Sequence, residues 1–155
     1  MNRRRVATLR DLQAGEFMVD QHHFTVTSKQ VPNSDYIQHS FSTSTADRNT
    51  ICLCNALTGL CGRDLDSLYE QIATRGGIGI EGIYGFYFDE SYSESSGLVT
   101  VYFFDDECVI SERKFVSIVV SFLDVIAERC CRQEAKSYLN QSDKLRALLR
   151  AGMFL

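Results

Sequence analysis

Residues 82–108 read GIYGFYFDESYSESSGLVTVYFFDDEC. Aromatic and β-branched residues are studded with acids, and the run contains no Lys or Arg. Two strands are expected here. Ile83 to Phe88 is aromatic-rich, and Leu98 to Phe104 alternates Leu98, Thr100, Tyr102 and Phe104 against Val99, Val101 and Phe103. The polar stretch from Asp89 to Gly97 is read as the hairpin loop between them. Asp105-Asp106 is read as a tight turn, and Glu107 to Ile110 as a short return strand. Ser111 then has the chemistry of a helix N-cap, with Glu112 well placed against the helix dipole. The helix expected from Ser111 to about Cys131 is apolar nearly all round (Phe115, Ile118, Val119, Phe122, Leu123, Ile126), so it should be buried on more than one side.

Upstream of this stretch, Asp64 or Asp66 can cap a short helix that places Leu65, Leu68, Tyr69 and Ile72 on one face and stops at Arg75-Gly76-Gly77. ICLCNALTGL, residues 51–60, carries helical spacing, with Ser44, Thr45 or Asp47 available as its cap. Before it, SFSTSTADRN (40–49) is polar and reads as a loop, and Pro32-Asn33-Ser34-Asp35 is a turn signal. Phe24 and Val26, with Val31 as a further candidate, alternate with polar residues and suggest one short strand. Downstream, Ser142 to Arg150 reads as a last amphipathic helix through Leu145, Leu148 and Leu149. The fold class expected is α+β. It is a single domain over residues 1–155, with a small antiparallel sheet packed against a long buried C-terminal helix and shorter helices, and with residues 1–10 as a basic terminus (Arg3, Arg4, Arg5, Arg10).

Charge is segregated along the chain. Residues 64–110 hold one base, Arg75, against ten acids, whereas residues 1–63 carry +2 and residues 111–155 carry +3, for a net −4. The acidic balance argues against sequence-independent nucleic-acid binding, which depends on Lys and Arg neutralising phosphates. No signal-peptide pattern opens the chain, and the longest apolar run, Phe115 to Ala127, is too short to span a membrane. The expected location is therefore cytoplasmic, with thiols reduced. The six cysteines lack CxxC spacing, and no metal or cofactor is expected. The run Gly77-Ile78-Gly79-Ile80-Glu81-Gly82 matches GxGxxG, but with a helix before it and a strand after it, the reverse of a dinucleotide site, so it reads as a connector into the sheet. His22 and His23 are adjacent and would point to opposite faces of a strand, and His39 is placed in a polar loop. Nothing in these patterns asks for catalysis, so no enzyme is expected.

The acidic–aromatic segment supplies the candidate binding residues: Asp89, Glu90, Tyr92, Glu94, Asp105, Asp106 and Glu107. An acidic face complements a basic partner and speeds its association, while tyrosines make amphipathic interface anchors. The run VTVYFFDDECVISERKFVSIVVSFLDVIAERC (99–130) moreover resembles the C-terminal core of bacterial toxin-immunity proteins, in particular the ribonuclease-toxin immunity proteins of contact-dependent growth inhibition systems. The resemblance is carried by the aromatic strand Val101 to Phe104, the acidic turn Asp105 to Glu107, and Ile110, Ser111 and Phe115 at the start of the helix, with Gly82-Ile83-Tyr84-Gly85 upstream. It implies a non-catalytic α+β protein that binds and neutralises a cognate toxin domain with a basic active face, most simply a nuclease. A cytosolic chaperone or adaptor for a secreted effector is the alternative. Neither nucleic acid nor membrane is an expected partner, and the sequence leaves a homodimer open.

Overall fold

The computed structural model describes residues 15–19, 22–34, 37–44, 47–61, 65–91 and 94–154, with only the backbone at 89–91 and 94–96. The basic N-terminus, Thr45, Asp64 and Tyr92 lie outside the described residues. The fold is α+β, with two antiparallel sheets instead of the one expected. The first is ordered β1 (Gly15–Val19), β2 (His22–Gln30), β3 (Ile37–Thr43). The second is ordered β4 (Ile78–Ile80), β5 (Tyr84–Ser91), β6 (Glu94–Phe103), β7 (Asp106–Ser111). Between them in sequence come α1 (Arg48–Leu60), a 3₁₀ turn (Leu65–Ser67) and α2 (Leu68–Ala73). After the second sheet come α3 (Glu112–Ala127) and α4 (Arg132–Arg150).

The first sheet corrects the reading of residues 40–49 as loop, since Ser40 to Thr43 belong to β3. Its cohesion comes from three phenylalanines, one per strand. Phe24 stacks on Phe17 and on Phe41, each at 5.2 Å between ring centroids. The free edge of β3 is met by α1, where the Phe41 amide donates to Thr58 Oγ1 at 2.8 Å. The turn at Pro32–Ser34 stands as expected, with Asn33 in the left-handed region.

Asp47 caps α1, accepting from the Thr50 amide. Asp66 does not cap α2. Instead Gln141, from α4, accepts from the Tyr69 amide and donates to the Leu65 carbonyl, both at 3.0 Å. α4 begins at Arg132, ten residues before the expected Ser142. Its first ten residues are too polar to advertise a helix, yet they carry a side chain that another helix needs.

Ser111 caps α3 as expected, and the helix runs to Ala127, somewhat short of Cys131. Both sheets meet it. Phe122 packs edge-on to Phe41 of the first sheet at 5.0 Å, and Phe115 meets Phe86 of the second at 4.8 Å. α4 covers its remaining flank, and α1 lies between β3 and the strands β5 to β7. Glu112, in the first turn of α3, is 1% exposed and pairs with Arg75, whose guanidinium also lies 4.9 Å from the centre of the Phe88 ring. The only base between residues 64 and 110 is thereby drawn toward the core.

Removing Arg75 takes a cation away from the buried Glu112 charge. Arg75→Ala should cost about 3 kcal/mol in urea unfolding. Adding Glu112→Gln should recover part of the loss, because the charge goes with it. A cost below about 0.5 kcal/mol for Arg75→Ala would show that the pair contributes nothing.

Candidate partner-binding face and a buried imidazole

Strand alternation sorts the second sheet into two faces. Tyr84, Phe86, Phe88, Val99, Val101 and Cys108 are buried toward α1 and α3. The opposite face is read from the register. Gly79 pairs with Gly85, Gly85 with Tyr102, and Tyr102 with Glu107. The next row is Tyr87, Thr100 and Val109, followed by Leu98 beside Ser111. Tyr87 is 45% exposed and Val109 56%, while Thr100 between them is buried at 6%, so the exposed part of this face is carried by the flanking side chains. Tyr102 shares it with Thr100, as the alternation requires.

The expected acidic residues divide along β6. The stretch from Asp89 to Gly97, expected to be a loop, is mostly strand: β5 continues to Ser91 and β6 starts at Glu94, with a register irregularity between Phe88 and Glu90. Aromatic and β-branched neighbours on both sides carry the ladder through a Ser-rich segment that would not sustain a strand alone. Asp89, Glu90 and Glu94 therefore belong to one end of the hairpin. Asp105, Asp106 and Glu107 sit at the other end of β6, ten residues long, or roughly 30 Å away along the strand. The tight turn falls on Phe104-Asp105, with Phe104 in the left-handed region, and Asp106 already belongs to β7. Asp106 is also engaged by Arg48 at 2.6 Å. Asp105 and Glu107 remain exposed, and among the described residues neither has an ion-pair partner.

A second grouping was not legible in the sequence. His39 lies in β3 instead of a loop, and it is buried. Its Nδ1 is 2.8 Å from Ser28 Oγ across the strands, and its Nε2 is 3.6 Å from Cys130 Sγ. Register explains the first contact, since Ser28 and His39 are cross-strand partners. The second arises because α3 delivers residue 130 to the same place. A hydroxyl, an imidazole and a thiol in line invite a nucleophilic reading. The protonation equilibria oppose it. Burial, and then the charge of Arg129, hold the imidazole down at about 4, while burial and the nearby Glu134 carboxylate push the Cys130 thiol up to about 12. The proton stays on sulfur, and the neutral ring is occupied at both nitrogens. A groove of about 330 Å³ beside His39 is lined by Gln38, Asn55, Thr58, Gly59, Cys61 and Phe103, and Cys130 does not line it.

Cys52, Cys54, Cys61 and Cys108 are buried, and burial raises the pKa of each of them. No group of three or more His, Cys, Asp or Glu among the described residues is arranged to hold a metal ion. The GxGxxG run enters β4 directly, without a following helix. No helix among the described residues is long and apolar enough to cross a membrane. In comparisons with known proteins, no family model, no curated protein and no solved structure gives a significant match to the chain.

Because His39 is neutral when folded, the unfolded chain binds the extra proton between its ordinary pKa of 6.5 and about 4. Stability should therefore fall as pH drops through that window. The contribution lost between about pH 7 and pH 5 is about 2 kcal/mol. His39→Gln should flatten that slope in urea titrations at the two pH values, and an unchanged slope would remove His39 as its source.

Proposed function

We propose that the chain is a non-catalytic, cytoplasmic binding protein that neutralises a toxic domain, most simply a nuclease with a basic active face, by one-to-one association. The observation that carries this reading is the outer face of the β4–β7 sheet. Tyr87, Tyr102, Val109 and Leu98 form an open patch on it, and Glu107 and Asp105 border the patch at one end. Arg75 is turned inward to Glu112, and Arg48 offsets Asp106 at the β6–β7 turn, which leaves the charges of Asp105 and Glu107. Aromatic anchors within an acidic surround suit a partner that must itself attract phosphates. The resemblance over residues 98–131 agrees with this, because the acidic turn and the strand that carries Tyr102 are among the residues that bear it. The chain's own acidity disfavours the same face as a homodimer contact, since like charges would be brought together.

The test is protection. The C-terminal domain of the large protein encoded beside this gene is expressed with and without the chain, and surviving cells are counted. Rescue, with a one-to-one complex on gel filtration, is the expected result. A toxic domain whose effect is not relieved would contradict the reading and favour an adaptor for a secreted effector. In the complex, Asp105→Lys with Glu107→Lys should slow association roughly tenfold at low salt, and the difference should shrink as salt is added. Unchanged kinetics in the folded double variant would move the interface away from this end of the sheet.

A further inference from the structure

The ring of Tyr102 has a specific seat. A Cβ added at Gly85 would come within 2.6 Å of the Tyr102 hydroxyl, and one at Gly79 within 2.8 Å. Both glycines also have positive φ, 154° and 149°, in a region that side-chain-bearing residues rarely adopt. Tyr102 thus lies across bare backbone on β5 and β4, one ring side against the sheet and the other away from it. Tyr87 stands beside it, with ring centroids 6.4 Å apart and planes inclined at 42°. The two rings form a corner instead of a closed stack, and Tyr87 is 45% exposed.

Two carboxylates come from residues next to this corner. Glu107 is the cross-strand partner of Tyr102. Glu81 lies in the β4–β5 turn, close enough that, after burial, its charge is the next cause holding the Tyr102 phenol above its ordinary pKa. Both acids are exposed, and neither has a cation among the described residues. An electron-rich ring pair with carboxylates beside it suits a planar cation. A guanidinium can lie on a tyrosine face while its N–H groups reach a carboxylate, whereas an ammonium is a compact, strongly hydrated point charge.

We propose that the Tyr87–Tyr102 corner, with Glu81 and Glu107 nearby, receives an arginine side chain of the basic partner. This rests on the partner-binding reading above and names the contact that would anchor it.

The probe is a blocked Gly-Arg-Gly peptide titrated into the full chain, with Gly-Lys-Gly as its counterpart, following the aromatic NMR signals of Tyr87 and Tyr102. The arginine peptide should shift both rings and bind about threefold more tightly than the lysine peptide. Tyr87→Ala, at an exposed position, should weaken it about threefold, as should Glu81→Gln with Glu107→Gln, while Tyr102→Phe keeps the ring and the binding. Shifts absent from both rings, or equal binding of the two peptides, would overturn the proposal. The readout needs no toxin, so the two readings fail separately. Protection without ring shifts leaves the neutralising function and removes the seat. Ring shifts without protection keep a guanidinium seat and remove the toxin.

Discussion

Both sheets are organised by one helix that neither could do without. α3 presents Phe122 to the first sheet and Phe115 to the second, and its apolar residues are almost entirely removed from water. A helix apolar on several sides can be stable only if several elements cover it. Each sheet therefore spends its inner face on the shared core. For the second sheet this leaves the other face uncovered, and alternation decides what that face displays. Burying Phe86, Val99 and Val101 inward obliges Tyr87, Leu98, Thr100 and Tyr102 to point outward. The exposed aromatic patch follows from how the core is satisfied.

The same logic governs the charges. A base left on the open face would cancel its acidity, yet Arg75 turns inward to Glu112, and Arg48 joins Asp106 beside the β6–β7 turn. Asp106 is thus committed to a contact within the chain, while Asp105 and Glu107 are available to a partner. The relay of Ser28, His39 and Cys130 has an arrangement that in a wetter setting would suggest catalysis. Here desolvation separates the two pKa values in the unreactive direction, and the group serves the packing of β2, β3 and the end of α3.

Much of the second half of the fold was legible because its signals are local. The alternation from Leu98 to Phe103, the Ser111 cap and the apolar surface of α3 can all be read within a short window. The first sheet was not, because β3, whose Phe41 meets Phe17 and Phe24 from 24 and 17 residues away, is itself mostly Ser, Thr and Gln. The start of α4 was hidden because residues 132–141 are too polar to show a helical apolar stripe, and the contacts of Gln141 with α2 and the 3₁₀ turn are likewise invisible to periodicity. At the candidate face, the acidic and aromatic composition was visible in the sequence. The division of the acids between two ends of β6, the engagement of Asp106, and the Tyr102 ring lying over Gly79 and Gly85 depend on register and appear only in three dimensions.

The most direct test of the central claim is hydroxyl-radical footprinting of the chain alone and in the one-to-one complex with a toxic domain that the proposed function predicts. If the outer face of the second sheet is the interface, Tyr87, Leu98, Tyr102 and Val109 lose reactivity on binding, while Met18 of the first sheet and Leu139 of α4, both exposed in the free chain, keep theirs. Protection of Met18 or Leu139 with the four sheet residues unchanged would contradict the account and place the partner on another face.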